Sequence, residues 1–488
     1  MSQVVYTKLI KDIGIVGSAQ ILQGLSVLLL IPIITKSLGA YDYGIYVQLI
    51  ASISLITSFA TLGLPYAMVR FLAGENDKDQ IVDDIWSSVT LILATSLIIS
   101  IIVFLCSDII ASKIFGNIWE ITVILAMLIP IECLSGTLQN VFRVFQKLRT
   151  YSAILLVKTY SEIIVIIVLL YMGLGILEVV YSIFFVRTLI CSGLILTVIS
   201  HVGIALPKYS RIRDYFKFGF PTIPANVAFW ISSSSDRYIV GLFLGLSFVG
   251  YYNPGYILGE MISIFMMPID FVFVAAASKY YDESKLDLLR DLFKRSVKYY
   301  LFFTFPAFCG VSILAEPILL MISTPEIANQ GYIVTPFVAF GMLVFGLGAV
   351  AFAKPLFLAK KTHISMVSWI FVAAINVGLN FMLIPIIGLV GAALATMLSF
   401  TFGFVFGTYF SIQYFNFVVD WKSIIKILIS SVIMSFVLIQ LHPSDLVDLL
   451  AAVSFASIVY LIAVFSLKTI DSDEINFFKR LLPHSKGL

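Results

Sequence analysis

The chain has 488 residues, of which 60% are hydrophobic and 12% charged, with a formal net charge of +3 and a mean hydropathy of +1.03. A soluble domain carries about 25% charged residues, so this chain has too few polar side chains to cover a water-facing surface and reads as dissolved in a bilayer. The slight charge excludes a nucleic-acid binder, which would show a basic face, and low charge with 41 Phe excludes disorder. Cys106, Cys133, Cys191 and Cys309 all fall inside apolar runs, where each reads as a small buried hydrophobe and not as half of a disulfide or a zinc ligand. Neither a metal nor a cofactor is expected.

A membrane helix needs about 20 mostly apolar residues, and the chain offers about 14 such runs, at 13–35, 43–66, 86–106, 119–140, 153–171, 178–199, 218–242, 247–275, 297–322, 332–356, 364–386, 388–412, 422–441 and 447–467. The first run is too long for a cleaved signal peptide and no small-residue cleavage site follows it. The loops are too short to hold a folded soluble domain. Basic residues set the orientation. Lys36 and Lys113 stand alone in the first and third loops, whereas the even loops are basic: Arg143, Lys147 and Arg149; Lys208, Arg211, Arg213 and Lys217; Lys279 to Lys298; Lys354, Lys360 and Lys361. Both termini are therefore expected in the cytoplasm. The segment from Tyr280 to Phe293 reads either as an interfacial amphipathic helix or as the solvated start of the ninth span.

Leu38-Gly39 followed by Gly44-Ile45-Tyr46 recurs as Leu244-Gly245 followed by Gly250-Tyr251-Tyr252, at an offset of 206. Gln146-Lys147 before the fifth span matches Ala359-Lys360 before the eleventh, and Gly173 after the fifth matches Gly388 after the eleventh. These ordered matches point to a duplication. Six spans per repeat is an even number, so the halves share one orientation and are related by an axis along the membrane normal. The expected divisions are an N-lobe at 1–203, a cytoplasmic linker at 204–217, a C-lobe at 218–415, and a two-helix appendix with a tail at 416–488.

A charge near mid-bilayer costs about 3 kcal/mol or more and needs a partner or water. The deep bases are Lys158, Arg187 and Arg237, with Arg70 and Lys354 at inner helix ends; the deep acids are Glu132, Glu162, Asp236, Glu260 and Asp270. Lys158 and Glu162 share a helix face and are expected to neutralise one another. Asp236 and Arg237 point about 100° apart, so each is expected to seek its own partner on a neighbouring helix. Arg187, Glu132 and Glu260 have no local partner. Five acids against three bases favour either cation coupling or a substrate with cationic sugars, and both stay open. Polar stripes mark a wet cavity or interhelical hydrogen bonds: Gln20, Gln23 and Ser26; Gln48 and Ser52; Ser232 and Asp236; Asn376 and Asn380.

Several segments together resemble the polysaccharide-export branch of the multidrug/oligosaccharidyl-lipid/polysaccharide exporter superfamily, the Wzx-type flippases. They are Ile31-Pro32 to Leu38-Gly39 with Tyr43-Gly44-Ile45-Tyr46, Leu62-Gly63-Leu64-Pro65 with Arg70, Phe218-Gly219-Phe220-Pro221 to Pro224, Ser235-Asp236-Arg237-Tyr238, Val249-Gly250-Tyr251-Tyr252, and Gly388 to Thr396. The resemblance implies an all-α polytopic membrane protein of the cell membrane with two six-helix lobes and two C-terminal helices. It implies a flippase that carries a polyprenyl-linked oligosaccharide to the outer leaflet by alternating access, in O-antigen or surface-glycan biosynthesis, coupled to H+ or Na+. The expected substrate-binding residues are Arg70, Arg187, Arg237, Lys354, Gln20, Gln23 and Gln48; those for ion coupling are Glu132, Glu162, Asp236, Glu260 and Asp270. The expected partners are the lipid-linked glycan, the bilayer and other polysaccharide-assembly proteins, with no nucleic acid. A cation-coupled multidrug antiporter of the same superfamily is the alternative. A membrane glycosyltransferase or polymerase is the more distant one, because the outer loops are short and nearly uncharged and no catalytic motif falls in them.

Overall fold

The computed structural model describes residues 3–469 except 267–272, 274–276, 278, 279, 282 and 284, and side chains from residue 14 onward. Among the described residues every regular element is a helix, as expected of chains whose backbone amides must be satisfied inside each segment in lipid. In chain order these are α1 Gln3–Ala60, α2 Leu64–Leu72, α3 Lys78–Leu105, α4 Ser107–Ile114, α5 Trp119–Val144, α6 Leu148–Tyr171, α7 Ile176–Val202, α8 Ile212–Gly219 and α9 Ile223–Phe243. Then follow α10 Leu246–Glu260, α11 Leu286–Ile313, α12 Ala315–Ile322, α13 Pro325–Gly331, α14 Val334–Leu358, α15 Thr362–Ile387, α16 Leu389–Ile412, α17 Trp421–Ile439 and α18 Leu446–Ser466.

Ten of these helices are long and apolar enough to cross a bilayer, and eleven if the bent pair α11–α12 counts as one span. The expected fourteen spans differ from this at three places. The 58-residue α1 holds two of them, separated at Gly39, whose φ of 79° and ψ of −175° break the helix. α9 carries the polar run Ser232 to Arg237. α10 has only 15 residues before a 3-10 turn at Met261–Phe265. Asp270, and Asp282 and Ser284 of the expected amphipathic segment, lie outside the described residues, and from Leu286 the chain is one continuous helix to Ile313 with Leu289 and Phe293 buried.

Unlike a water-soluble bundle, the helices expose large apolar side chains as well as burying them. On α3, Ile98 is 60% exposed and Leu105 76%, while Ser87, Ser88 and Ser96 are buried. Apolar outside and small polar inside is the arrangement of a helix whose solvent is lipid and whose neighbours are reached through close backbone contact. This is a multi-pass membrane protein.

The described residues gather into two compact units. The first comprises Met1–Pro254, Ile322–Gln330 and Trp369–Ala395; the second comprises Gly255–Met321, Gly331–Ser368 and the chain from Thr396 on. In the second, α11, α17 and α18 enclose a core of Phe302, Leu314, Ile427, Met434, Leu438 and Tyr460, and the Tyr460 hydroxyl donates to the Phe302 carbonyl at 2.7 Å. In the first, α1, α3, α5, α6 and α7 pack together. The segment after α7 is tied to the start of α3. Asp83 accepts from the Lys208 and Ser210 amides and from the Ser210 hydroxyl, and Arg211 bridges Glu75 at 2.9 Å and Asp84 at 2.6 Å. Burial opposes the Arg211 charge, but Asp84 and Glu75 outweigh it and hold its pKa above the ordinary value. The Asp77 amide, the Arg211 side chain and the Asn76 amide together hold Glu75 below its ordinary value.

Matching positions of the two sequence halves have matching backbone. Gly39 and Gly245 both have positive φ, at 79° and 99°, and so do Gly173 and Gly388, at 77° and 61°; Gln146 and Lys360, one residue out of register in the sequence match, do too, at 54° and 58°. The repeat is closest where its halves touch inside the first unit. A Cβ on Gly44 would run into the Leu246 carbonyl, and a Cβ on Gly250 would run into the Ala40 carbonyl. These contacts exchange with one another under the 206-residue offset, so α1 and α10 cross about a local two-fold. Gly44→Ala and Gly250→Ala are each expected to force the helices apart and cost about 1–3 kcal/mol, read as a lower midpoint of thermal unfolding in detergent; Gly74→Ala, which meets open space, is the control.

Candidate functional site

A cavity of about 870 Å³ opens in the first unit between the second half of α1, α2, α5 and α9. Its α1 wall is Ser54, Thr57 and Ser58, with Thr61 just beyond the helix; its α9 wall is Asn226, Phe229, Trp230, Ser233 and Ser234. Along α5 the wall reads Glu132, Gly136, Asn140 and Arg143, a spacing of four, four and three that keeps all of them on one helix face. α2 supplies Pro65, Tyr66, Val69 and Arg70; it starts from left-handed Gly63 (φ 68°) with proline in its first turn, a favourable start for a helix. Arg70 is exposed and forms no ion pair among the described residues. Arg143 is also exposed, donates to Asn140 at 3.1 Å and lies over the Tyr151 ring.

Glu132 belongs to a chain of four charges from α5, α6 and α7. Lys158 Nζ donates to Glu132 Oε2 at 2.7 Å and Oε1 at 2.9 Å. Arg187 Nη1 reaches Glu132 Oε1 at 3.0 Å. Arg187 Nε and Nη2 form a fork onto Glu162 Oε2 and Oε1, each at 3.0 Å. Arg187 and Glu132 have side chains 11% exposed and Glu162 9%, while Lys158 is the most open at 24%. Two acids and two bases sum to no net charge. The expected intrahelical Lys158–Glu162 pairing is therefore replaced by pairing across helices: Lys158 takes Glu132, and Glu162 takes Arg187.

A second buried cluster joins α9, α10 and α1. Asp236 Oδ1 accepts from the Arg237 amide at 2.8 Å and from Arg237 Nη1 at 3.3 Å, and Oδ2 accepts from the Tyr252 hydroxyl at 2.6 Å. The adjacent acid and base thus pair with each other as well as with neighbours, contrary to the expectation from helix geometry alone. Arg237 Nε donates to Asn253 Oδ1 at 3.0 Å, and Asn253 Nδ2 donates to the Tyr43 hydroxyl at 2.9 Å. Gln48 Nε2 donates to the Arg237 carbonyl at 2.9 Å. Tyr43 stacks with Tyr46, and Tyr46 lies within electrostatic reach of Glu162 and Arg187, so the two clusters are neighbours.

Of the residues singled out in the sequence, Arg70 and Glu132 line the cavity. Arg187, Glu162, Asp236, Arg237 and Gln48 are in the two clusters behind it. Gln20 is exposed and Gln23 half-buried, and neither is on the cavity wall. Lys354 and Glu260 belong to the second unit; Lys354 Nζ sits 4.5 Å from the Phe273 ring centre, and Glu260 is half-buried at the end of α10. Arg143, Asn226, Phe229 and Trp230 went unnoticed as a group. The 4-4-3 spacing from Glu132 to Arg143 was the signal that could have found the first of them.

The site is thus a polar cavity with Arg70 and Arg143 on its wall, among the helices of a multi-pass membrane protein. The family described as Polysaccharide biosynthesis protein matches residues 33–326; the chain belongs to that family, and every cavity-lining residue falls in the matched stretch. A probable low-salt glycan biosynthesis flippase of Haloferax volcanii, Agl15, is 22% identical over 286 residues, 57% of this chain and 59% of that one. The match thus spans less than two thirds of that relative's length. Among solved structures, the lipid II flippase MurJ in its inward closed conformation superposes with a TM-score of 0.76 at 17% identity, over 96% of this chain and 99% of the other. An inward-facing multidrug resistance MATE family transporter of the MOP superfamily gives 0.65 at 14%, over 81% and 93%. At these identities the likeness is one of fold.

Removing Arg187 would leave two buried carboxylates to share Lys158. Arg187→Ala is expected to cost about 3–5 kcal/mol, the scale of breaking a buried ion pair from one side, whereas Arg70→Ala on the cavity wall should stay within about 0.5 kcal/mol. Thermal unfolding of the solubilised variants measures both.

Proposed function

We propose that this protein is a flippase that moves a lipid-linked oligosaccharide, carried on a polyprenyl phosphate or diphosphate, from the cytoplasmic to the outer leaflet by alternating access. The observation that carries the reading is the polar cavity with Arg70 and Arg143 in a lining otherwise rich in hydroxyls. An arginine fork matches two phosphate oxygens at once, and a guanidinium without a carboxylate partner is available for that contact. The family and the name of the haloarchaeal relative support the same reading. Transport then needs no bond to be made or broken: the protein supplies a path for a polar headgroup and leaves the lipid in the membrane. Both termini lie in the cytoplasm, so that the arginines face the side where the substrate is made. The multidrug-antiporter alternative shares the fold, but a cavity walled by serine and threonine suits a sugar better than an apolar drug.

We further propose that transport is driven by H+ or Na+. A carboxylate that exchanges protein partners for water as access alternates has different cation affinities in the two states, which is what coupling requires. Glu260 is the candidate outside the two ion clusters.

Reconstitution in liposomes tests these statements. Arg70→Ala is expected to slow flipping of a polyprenyl-diphosphate oligosaccharide about tenfold, one bidentate charge contact, and Arg70→Lys to recover part of it because a point charge loses the fork. Undiminished flipping by Arg70→Ala at equal protein content would overturn the phosphate assignment. Glu260→Gln is expected to make the rate insensitive to an imposed ion gradient; a wild-type response would make Glu260 a structural residue.

A further inference from the structure

The cavity wall carries two arginines, Arg70 and Arg143, one carboxylate, Glu132, and the indole Nε1 of Trp230, a buried donor with no hydrogen-bond partner among the described residues. Several of its hydroxyl protons are already spent on helix carbonyls: Thr57 and Ser58 donate to Ser54, Thr61 to Thr57, and Ser233 to Trp230. What such hydroxyls turn toward the cavity is oxygen lone pairs. Glu132 ends this wall. An ionised carboxylate has about four acceptor sites; Lys158 and Arg187 occupy three of them and approach from positions off the cavity wall. The cations hold Glu132 ionised and in place without themselves lining the cavity. One helical turn along α5, Gly136 leaves open space where a side chain would stand, so a ring has room beside the carboxylate. Eleven residues of α5 separate Glu132 from Arg143, about 16 Å at the helical rise, the reach of a phosphate followed by a few sugar rings.

We infer that the Glu132 end of the cavity is a sugar-selecting subsite that takes a neutral or amine-bearing sugar and rejects one carrying a carboxylate. This rests on the flippase reading above and names the substrate class within it. A neutral sugar offers hydroxyl protons to Glu132 and to the lone pairs of these hydroxyls, and hydroxyl oxygens to the Trp230 Nε1 donor. An amino sugar adds a cation opposite Glu132. A uronic acid sets its carboxylate against the oxygen edge of Glu132, whose own donors, Lys158 and Arg187, lie off the cavity wall, a repulsion that selectivity can be built on.

The test is binding of three probes to the purified protein by native mass spectrometry and by ligand-induced thermal shift: a short polyprenyl diphosphate bearing a hexosyl disaccharide, its amino-sugar counterpart, and its uronic-acid counterpart. Wild type is expected to prefer the first two over the uronate by about tenfold or more, the scale of one unfavourable charge contact at a partly solvated site. Glu132→Gln is expected to bring the ratio close to one. Because that variant strands Lys158, the pair Glu132→Gln with Lys158→Met keeps the Arg187–Glu162 pair neutral and reads the same ratio if the single variant does not fold. Equal binding of all three by wild type, or a preference that survives in both variants, overturns the subsite while leaving the flippase reading in place. Wild type that binds none of the three, and no unglycosylated polyprenyl diphosphate either, overturns the flippase reading and the subsite with it.

Discussion

A charge inside a bilayer must bring its counter-charge with it, and Arg187 shows what that demands of this fold. Its guanidinium spends three nitrogens on two carboxylates from two other helices, and Lys158 completes the neutral set. The cost of an uncompensated ion in hydrocarbon then fixes the mutual register of α5, α6 and α7 more tightly than apolar packing does, since lipid is as good a neighbour for leucine as another helix is. That register presents the face of α5 from Glu132 to Arg143 to the cavity. The buried ions and the solvated wall are two sides of one helix.

The same constraint surrounds the second ion pair with neutral partners. Asp236 and Arg237 pair with each other, Tyr252 and Asn253 bond to their side chains, and Tyr43 and Gln48 extend the network to α1, where Gln48 Oε1 is buried without a hydrogen-bond partner among the described residues. Several of these partners stand in or beside the two recurring glycine-tyrosine segments.

The membrane class, the helical periodicity and the glycine breaks were legible in the sequence because each depends on neighbours in the chain: apolar run length, the positive-φ turn at Gly39, the basic clusters. The residues of the ion clusters were legible as a set, since Glu132, Glu162 and Arg187 stand out in apolar surroundings. Their pairing was not. Lys158 and Glu162 lie one turn apart, and helix geometry alone favours that pair, yet interhelical contacts 25 and 26 residues apart in the chain decide the matter. The cavity wall was the least legible part. Serines and threonines that bond their own helix look the same in the sequence whether they face lipid, protein or water, and Arg143 reads as one more basic residue near the membrane surface.

The crossing of α1 and α10 at Gly44 and Gly250 has a consequence for how the protein can vary. In an ordinary core, a residue that grows can be accommodated by trimming the side chain opposite. Here each glycine faces a carbonyl of the other half, and a main chain has nothing to trim. Compensation for an added methyl group can come only from moving a whole helix, and the local two-fold means that movement at one glycine is felt at the other. The two positions are therefore constrained as a pair: a helix shift that makes room at one must be tolerated at the other.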